Sequence, residues 1–285
     1  MRIKIFQKII DKLRNKKSKK KNLCKNNFVA WYSKNKYQQI HSSNCISISG
    51  KNNKIIFLSA THKKIKGLNI VVNGNNNVIV IEEPNFNRSS INISGDNNTF
   101  SLKKTVKIVD GAIFHVQNGS QVLIDENCEI GNGDFYVVTN GDYENQHKLV
   151  IGKNCHIARN VLIRTSDGEC LIDKNTKLPI SEPQDVIIND NCWITSKCTI
   201  LKGSVLPKNT IVGANSLVNK KFEKENTLIG GVPAKVLKED IHWTAGSYRK
   251  IMELNFGQKE QKITFDVEKF ILENYNLNLK NLSKR

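Results

Sequence analysis

The sequence predicts an all-β solenoid, a chain wound into stacked three-sided coils, with a basic helix before it and a helical cap after it. Three observations predict this fold. Gly50-Lys-Asn-Asn-Lys-Ile55, Gly74-Asn-Asn-Asn-Val-Ile79 and Gly95-Asp-Asn-Asn-Thr-Phe100 repeat one another at spacings of 24 and 21 residues. From Ile188 the period shortens to six, and five consecutive hexads open on a branched aliphatic residue: Ile188, Ile194, Ile200, Leu206 and Val212. Four places on in each hexad stands a small residue: Cys192, Cys198, Ser204, Thr210 and Ser216. A fixed short period of this kind is the signature of stacked supersecondary units, not of a globular layer fold.

Residues 1–25 place Ile3, Phe6, Ile10 and Leu13 at helical spacing among lysines, so they read as a short basic amphipathic helix with a frayed Lys run. The whole chain of 285 residues carries a net charge of +18, but these first residues hold eleven Lys/Arg against Asp11 alone, a net +10. That leaves +8 for the remainder. With no helix-turn-helix and no aromatics interleaved with the basic run, nucleic-acid binding is not expected. No apolar run approaches the ~20 residues of a membrane helix. No signal-peptide pattern is seen either, so export is not expected.

Residues 26–120 read as the long-coil part of the solenoid. Runs such as Ile46 to Ser49, Ile70 to Asn73 and Ile91 to Ser94 precede Gly/Asn turns, where those two residue types tolerate positive φ. Residues 121–236 carry the hexads, including Ile124 to Glu129, Ile151 to His156 and Ile157 to Leu162. One aliphatic residue per face points inward and stacks on its equivalents, while the small residue lets the chain turn a corner. Three hexads make one coil. The stretch Gly168 to Gln184 breaks the frame and is expected to project as a loop. Residues 237–285 are expected to be a helical cap over the open end, whose strand edges would otherwise invite pairing.

The seven cysteines, at 24, 45, 128, 155, 170, 192 and 198, form no CxxC pair and no zinc-like cluster. Four of them fall at hexad corners as small interior residues. No metal and no disulfide framework are expected, and a reducing, cytoplasmic compartment fits.

The hexads, with Trp193-Ile194, Ile200-Leu-Lys-Gly203, Val212-Gly-Ala-Asn-Ser216 and Gly230-Gly-Val-Pro-Ala-Lys-Val236, resemble the hexapeptide-repeat acyltransferases. These fold as left-handed parallel β-helices, a hand that the general preference for right-handed crossovers would not supply. The nearest subgroup is the acetyl-CoA-dependent O-acetyltransferases of bacterial capsule and lipopolysaccharide synthesis. The resemblance covers residues 120–243. It implies a homotrimer with coenzyme A lying in a groove between adjacent prisms. Trp193, Ala214 and Ser216 would line the pantetheine channel, and Lys220, Lys221, Pro233 and Lys235 would lie near the adenine and phosphates, since phosphate requires cations and amides.

Acyl transfer to a sugar hydroxyl requires a base and an oxyanion donor. The family motif reads Ile-Arg-Thr-Ser-Asp-Gly-His with His as base; this chain has Ile163-Arg-Thr-Ser-Asp-Gly168 followed by Glu169. Three readings stay open: Glu169 is the base, which would suit an amino-sugar acceptor and N-acetylation; His156 or His147 substitutes; or the chain is an inactive relative that binds glycan. Asp167 is expected to orient a neighbour. The acceptor that the resemblance implies is a glycan or a nucleotide- or lipid-linked sugar. Residues 1–25 are a candidate contact with an anionic membrane at the inner face of the cytoplasmic membrane, each basic residue near the surface contributing about 1 kcal/mol.

Overall fold

The structure, a computed structural model, describes residues 27–33, 36–38, 45–58, 65–83, 85–139, 146–246 and residue 251. The basic helix expected over residues 1–25 lies outside the described residues, as does nearly all of the cap.

The chain winds around a three-sided prism, visiting three parallel sheets in turn. Face I contains Lys54–Leu58, Val78–Glu82, Thr99–Leu102 and their successors. Face II contains Lys107–Asp110, Glu129–Asn132, His156–Ile157 and Trp193–Ile194; face III contains Asn69–Asn73, Ser90–Ser94, Ile113–Gln117 and Phe135–Thr139. Alternation is clear on face III, as in Ile113–Gln117 and Phe135–Thr139, whereas on face I Ile56 and Val80 are buried along with their inward neighbours. Ile188, Ile194, Ile200, Leu206 and Val212 all point inward with no exposed surface, as the hexad frame requires. The corner residues Cys192, Cys198, Ser204, Thr210 and Ser216 are likewise buried, and the thiols of Cys128, Cys155 and Cys192 each donate to a carbonyl of the next coil. Asn127, Asn154, Asn160, Asn191, Asn209 and Asn215 hold φ near +60° at the turns, a left-handed conformation that asparagine tolerates better than most residues.

The three Gly-x-Asn-Asn repeats stack directly on one another. Gly74 sits at φ 141°, and a Cβ there would overlap the carbonyl oxygen of Gly95. The last Asn of each repeat is buried and forms a ladder. Asn77 N donates to Asn53 Oδ1 (3.0 Å), Asn98 N to Asn77 Oδ1 (2.8 Å) and Ser120 N to Asn98 Oδ1 (3.0 Å). Buried polar groups are thereby satisfied coil by coil. Inside the prism Phe100 meets Phe114 edge-on at 5.1 Å, and Phe114 stacks on Tyr136 at 4.5 Å. Asp134 accepts from the Tyr136 hydroxyl (3.1 Å) and from Val161 N (2.9 Å).

Two expected boundaries are not structural breaks. Strand Thr99–Leu102 pairs with Gln121–Ile124 across residue 120, so residues 26–120 and 121–236 share continuous sheets. Position 237 falls inside strand Ala234–Lys238, which folds back antiparallel on Leu228–Gly231. After it, residues 239–246 contain no helix. Residues 244–285 form a second compact unit. Among the described residues no helix is long and apolar enough to cross a membrane.

Candidate functional site

On face II, His156 and Trp193 are direct partners in adjacent strands, and their inward neighbours Ile157 and Ile194 are fully buried. Both side chains therefore stand on the outer surface, one coil apart. Trp243 joins them from beyond the last strand. The chain returns along the corner between faces I and II, where Ile241 N donates to the Asn226 carbonyl (3.0 Å) and Trp243 Nε1 donates to the Asn191 carbonyl (2.6 Å). The Trp243 ring lies 5.9 Å from that of Trp193 and 6.1 Å from that of His156. The sequence reading missed Trp243 because it follows the last repeat, so no periodicity locates it. Its only signal is that it is one of three tryptophans.

The corner between faces II and III, at the end of the prism, holds Ala214, Ser216, Pro233 and Lys235. Ser216 is buried; its hydroxyl donates to the Gly213 carbonyl (2.6 Å) and accepts from Gly231 N (3.1 Å). It thus pins the Gly230-Gly231 hairpin, and Ala214, Pro233 and Lys235 are left exposed around it.

The corner between faces III and I carries the acid–base candidates. Arg164 donates through Nη2 to the Asp167 carbonyl (2.8 Å), and Lys202 Nζ lies 2.6 Å from Asp167 Oδ2. Two atoms here are buried without a hydrogen-bond partner: Arg164 Nε and Ser166 Oγ. Glu169 is exposed at the root of an arm that leaves the coil after Gly168 and returns at Gln184, whose N–H donates to the Thr165 carbonyl (2.9 Å). The arm is a short hairpin: Ile172 bridges Pro179, Ile180 N donates to the Leu171 carbonyl (2.8 Å), and Leu171, Ile172, Leu178 and Ile180 are exposed. One coil earlier at the same corner, His147 Nδ1 faces Asp185 Oδ1 at 3.5 Å. One and two coils later come Lys202 and then Lys220 and Lys221, the last bridged to Val205. Lys220 Nζ sits 5.3 Å from the Phe222 ring.

The expected site residues therefore divide. His156 and Trp193 share a face with Trp243. Ala214, Ser216, Pro233 and Lys235 share a corner. Asp167, Glu169, Lys220 and Lys221 occupy a different corner, away from Pro233 and Lys235. Hexads fix which face a residue occupies, and one chain cannot bring faces II and I/III together. Among the described residues Lys220, Lys221 and Lys235 form no ion pair with a carboxylate, which leaves their charge available to a phosphate-bearing ligand. Among the described residues no group of His, Cys, Asp and Glu could hold a metal ion.

No family model matches the chain. A polysialic acid O-acetyltransferase of Escherichia coli O1:K1 is 33% identical over 125 residues, which is 44% of this chain and 38% of that protein. One from Neisseria meningitidis is 29% identical over 182 residues, covering 64% of this chain and 81% of its own length. The crystal structure of the polySia-specific acetyltransferase NeuO superposes with a TM-score of 0.58 at 25% identity, over 82% of this chain and 91% of that one. In sequence and in fold the chain is similar to these polysialic acid O-acetyltransferases. The structural match gives the coil its hand: the prism is a left-handed parallel β-helix. The chain carries Glu169 where the motif it resembles ends in His.

Proposed function

We propose that this hexapeptide-repeat protein transfers an acetyl group from acetyl-CoA to a hydroxyl of a bacterial surface-polysaccharide sugar. The observation that carries this reading is the corner between faces III and I, where Arg164 Nε and Ser166 Oγ are buried donors without partners beside Asp167. A buried donor left unpaired costs about 1–3 kcal/mol, so such a pair points to a ligand atom. An acyl oxyanion fits that requirement. The relatives named above act on polysialic acid, which supports a hydroxyl over an amine as acceptor.

In the reaction the acceptor oxygen attacks the thioester carbon, the C–S bond breaks, the hydroxyl proton passes to a base and coenzyme A leaves as its thiol. Glu169 stands at the position of the family's base. His147 is the second candidate, favoured by one observation: its Nδ1 faces the Asp185 carboxylate, the pairing that orients an imidazole as a base. His156 lies with Trp193 and Trp243, a surface suited to the pantetheine arm.

The division of these residues between faces supports assembly of the site from two copies. Face II and the Ala214–Lys235 corner of one prism would hold the coenzyme, and the Asp167–Glu169 corner of the next, with Lys220 and Lys221, would hold the reacting hydroxyl. A homotrimer closes such a heterologous contact. The basic residues 1–25 supply a contact for anionic lipid on the cytoplasmic side, which sedimentation with anionic liposomes before and after their deletion tests.

The deciding experiment incubates the protein with acetyl-CoA and a panel of polysaccharides and amino sugars, following free thiol. Transfer to a polysaccharide that falls at least ten-fold in Glu169→Gln supports Glu169 as base; full activity in Glu169→Gln with loss in His147→Gln assigns His147. Thiol release from no acceptor by the natural chain, restored by Glu169→His, overturns the proposal.

A further inference from the structure

Face III differs chemically from the other two. In a chain that is 25% charged, Arg164 is the only Lys, Arg, Asp or Glu among the outward positions of its described strands. Face I presents Lys54, Glu82 and Lys148 outward, and face II presents Lys107 and Glu129.

Strand register arranges the outward residues of face III in columns. At the carboxyl-terminal ends of the strands Asn73, Ser94, Gln117 and Thr139 follow one another in line. The next column runs Val71, Asn92, His115, Val137 and Arg164. None of the side chains of Asn73, Asn92, Ser94, Gln117 and Thr139 makes a hydrogen bond within the described residues. On the other margin Ile113, Phe135 and Leu162 are in line, and the His115 ring meets Phe135 edge-on at 5.2 Å. Ile113 and Phe135 are 37% and 39% exposed.

We propose that face III is the docking track for an extended acceptor glycan, which it feeds toward Arg164 and the Asp167–Glu169 corner. This inference rests on the acetyltransferase reading and extends it from a sugar to a polymer. The chemistry of the face selects the occupant. Amides and hydroxyls both donate and accept, as sugar hydroxyls do. The apolar margin with its aromatic ring suits the C–H faces of a pyranose. A nucleic acid would need cations along the track, and only Arg164 is supplied. The track meets the reacting corner at strand Leu162–Arg164, which runs directly into Thr165 to Glu169. From Cys45–Ser49 to Leu162–Arg164 there are five strand spacings, roughly 24 Å at about 4.8 Å each.

The test separates binding from transfer. Polysialic acid and a set of neutral capsular polysaccharides, each as polymer and as size-fractionated oligomers, are immobilised, and retention of the protein is measured without acetyl-CoA. The expected result is that at least one polymer binds, that affinity rises with length until the oligomer spans about 24 Å, and that Asn92→Ala/Gln117→Ala weakens it about ten-fold, as loss of two hydrogen bonds would. Phe135→Ala should weaken the same polymer and leave binding of coenzyme A unchanged. Binding of no polymer in the set, or undiminished polymer binding in both variants, overturns the track. A change of oligomeric state in Phe135→Ala, seen by sedimentation velocity, also overturns it, because face III would then be covered by another copy. Polymer binding without acetyl transfer overturns the enzymatic reading and leaves the track standing.

Discussion

The indole N–H of Trp243 donates to the carbonyl of Asn191, and this single bond brings its ring to 5.9 Å from that of Trp193. Asn191 is itself held by the next coil, its amide donating to Asn209 Oδ1 at 2.6 Å. Trp243→Ala should therefore disorder the ligand-facing side of Trp193 without unfolding the prism. Calorimetric titration should show coenzyme A binding weakened about ten-fold, with Trp243→Phe intermediate, because aromatic pairs contribute about 0.5–1.5 kcal/mol beyond their buried area. Equal affinity for wild type and Trp243→Ala would remove the residue from the site.

Lys202 and Asp167 form an ion pair that is partly exposed, so it adds little to stability, about 0–1 kcal/mol. Its value lies in fixing the Asp167 side chain at the acid–base corner. Lys202→Met and Asp167→Asn should each lower kcat, and the double variant should be no worse than the more severe single one. Additive losses in kcat would show that the two residues act separately.

Burial pushes the Asp134 carboxyl up to about 7, although hydrogen bonds from Val161 N and the Tyr136 hydroxyl oppose it. A carboxyl whose folded value lies above its unfolded one favours folding when protonated. That contribution is complete below about pH 4 and is lost as the pH rises through about 7. Asp134→Asn stays neutral throughout. Melting curves at intervals from about pH 5 to pH 8 should show the variant losing less stability than the wild type, by several degrees at the upper end; parallel curves would contradict this.

Thiol chemistry should separate the cysteines by position. Cys45 and Cys170 are exposed, whereas Cys128, Cys155, Cys192 and Cys198 are buried. The hydrogen bond with Cys155, and then burial, raises the Cys128 thiol well above its ordinary range; burial raises that of Cys198. With Cys24 replaced by Ser, a thiol reagent should modify only Cys45 and Cys170 in the native protein. Modification of the other four should require denaturant, as mass spectrometry of peptides can show.

The prism was legible because burial and sequence share one period. Each hexad's aliphatic residue and corner residue is determined by local geometry, and Ile188 to Ser216 occupy the positions the frame requires. The Gly-x-Asn-Asn coils were legible as repeats, although nothing in them announced that Asn53, Asn77 and Asn98 would form one buried ladder. The site was legible only in parts. Resemblance pointed to Trp193, Asp167 and Glu169, but faces are assigned by counting strands through loops of unequal length, so the separation of Lys220 from Lys235 could not be read in advance. Trp243 and the His147–Asp185 pair lie outside the repeat, where spacing carries no information.

The one-coil, one-rung construction has a consequence for how such a protein evolves. Each Gly-x-Asn-Asn coil touches only the coil above and the coil below, so duplicating one would insert a rung into the ladder of Asn53, Asn77 and Asn98 and disturb no other contact. Such an insertion lengthens face III by about 4.8 Å and leaves Arg164, Asp167 and Glu169 untouched. With face III as the proposed track, the early coils are a ruler joined to the proposed reacting corner, and a lineage could change the length of polymer it measures by copying about twenty residues at a time.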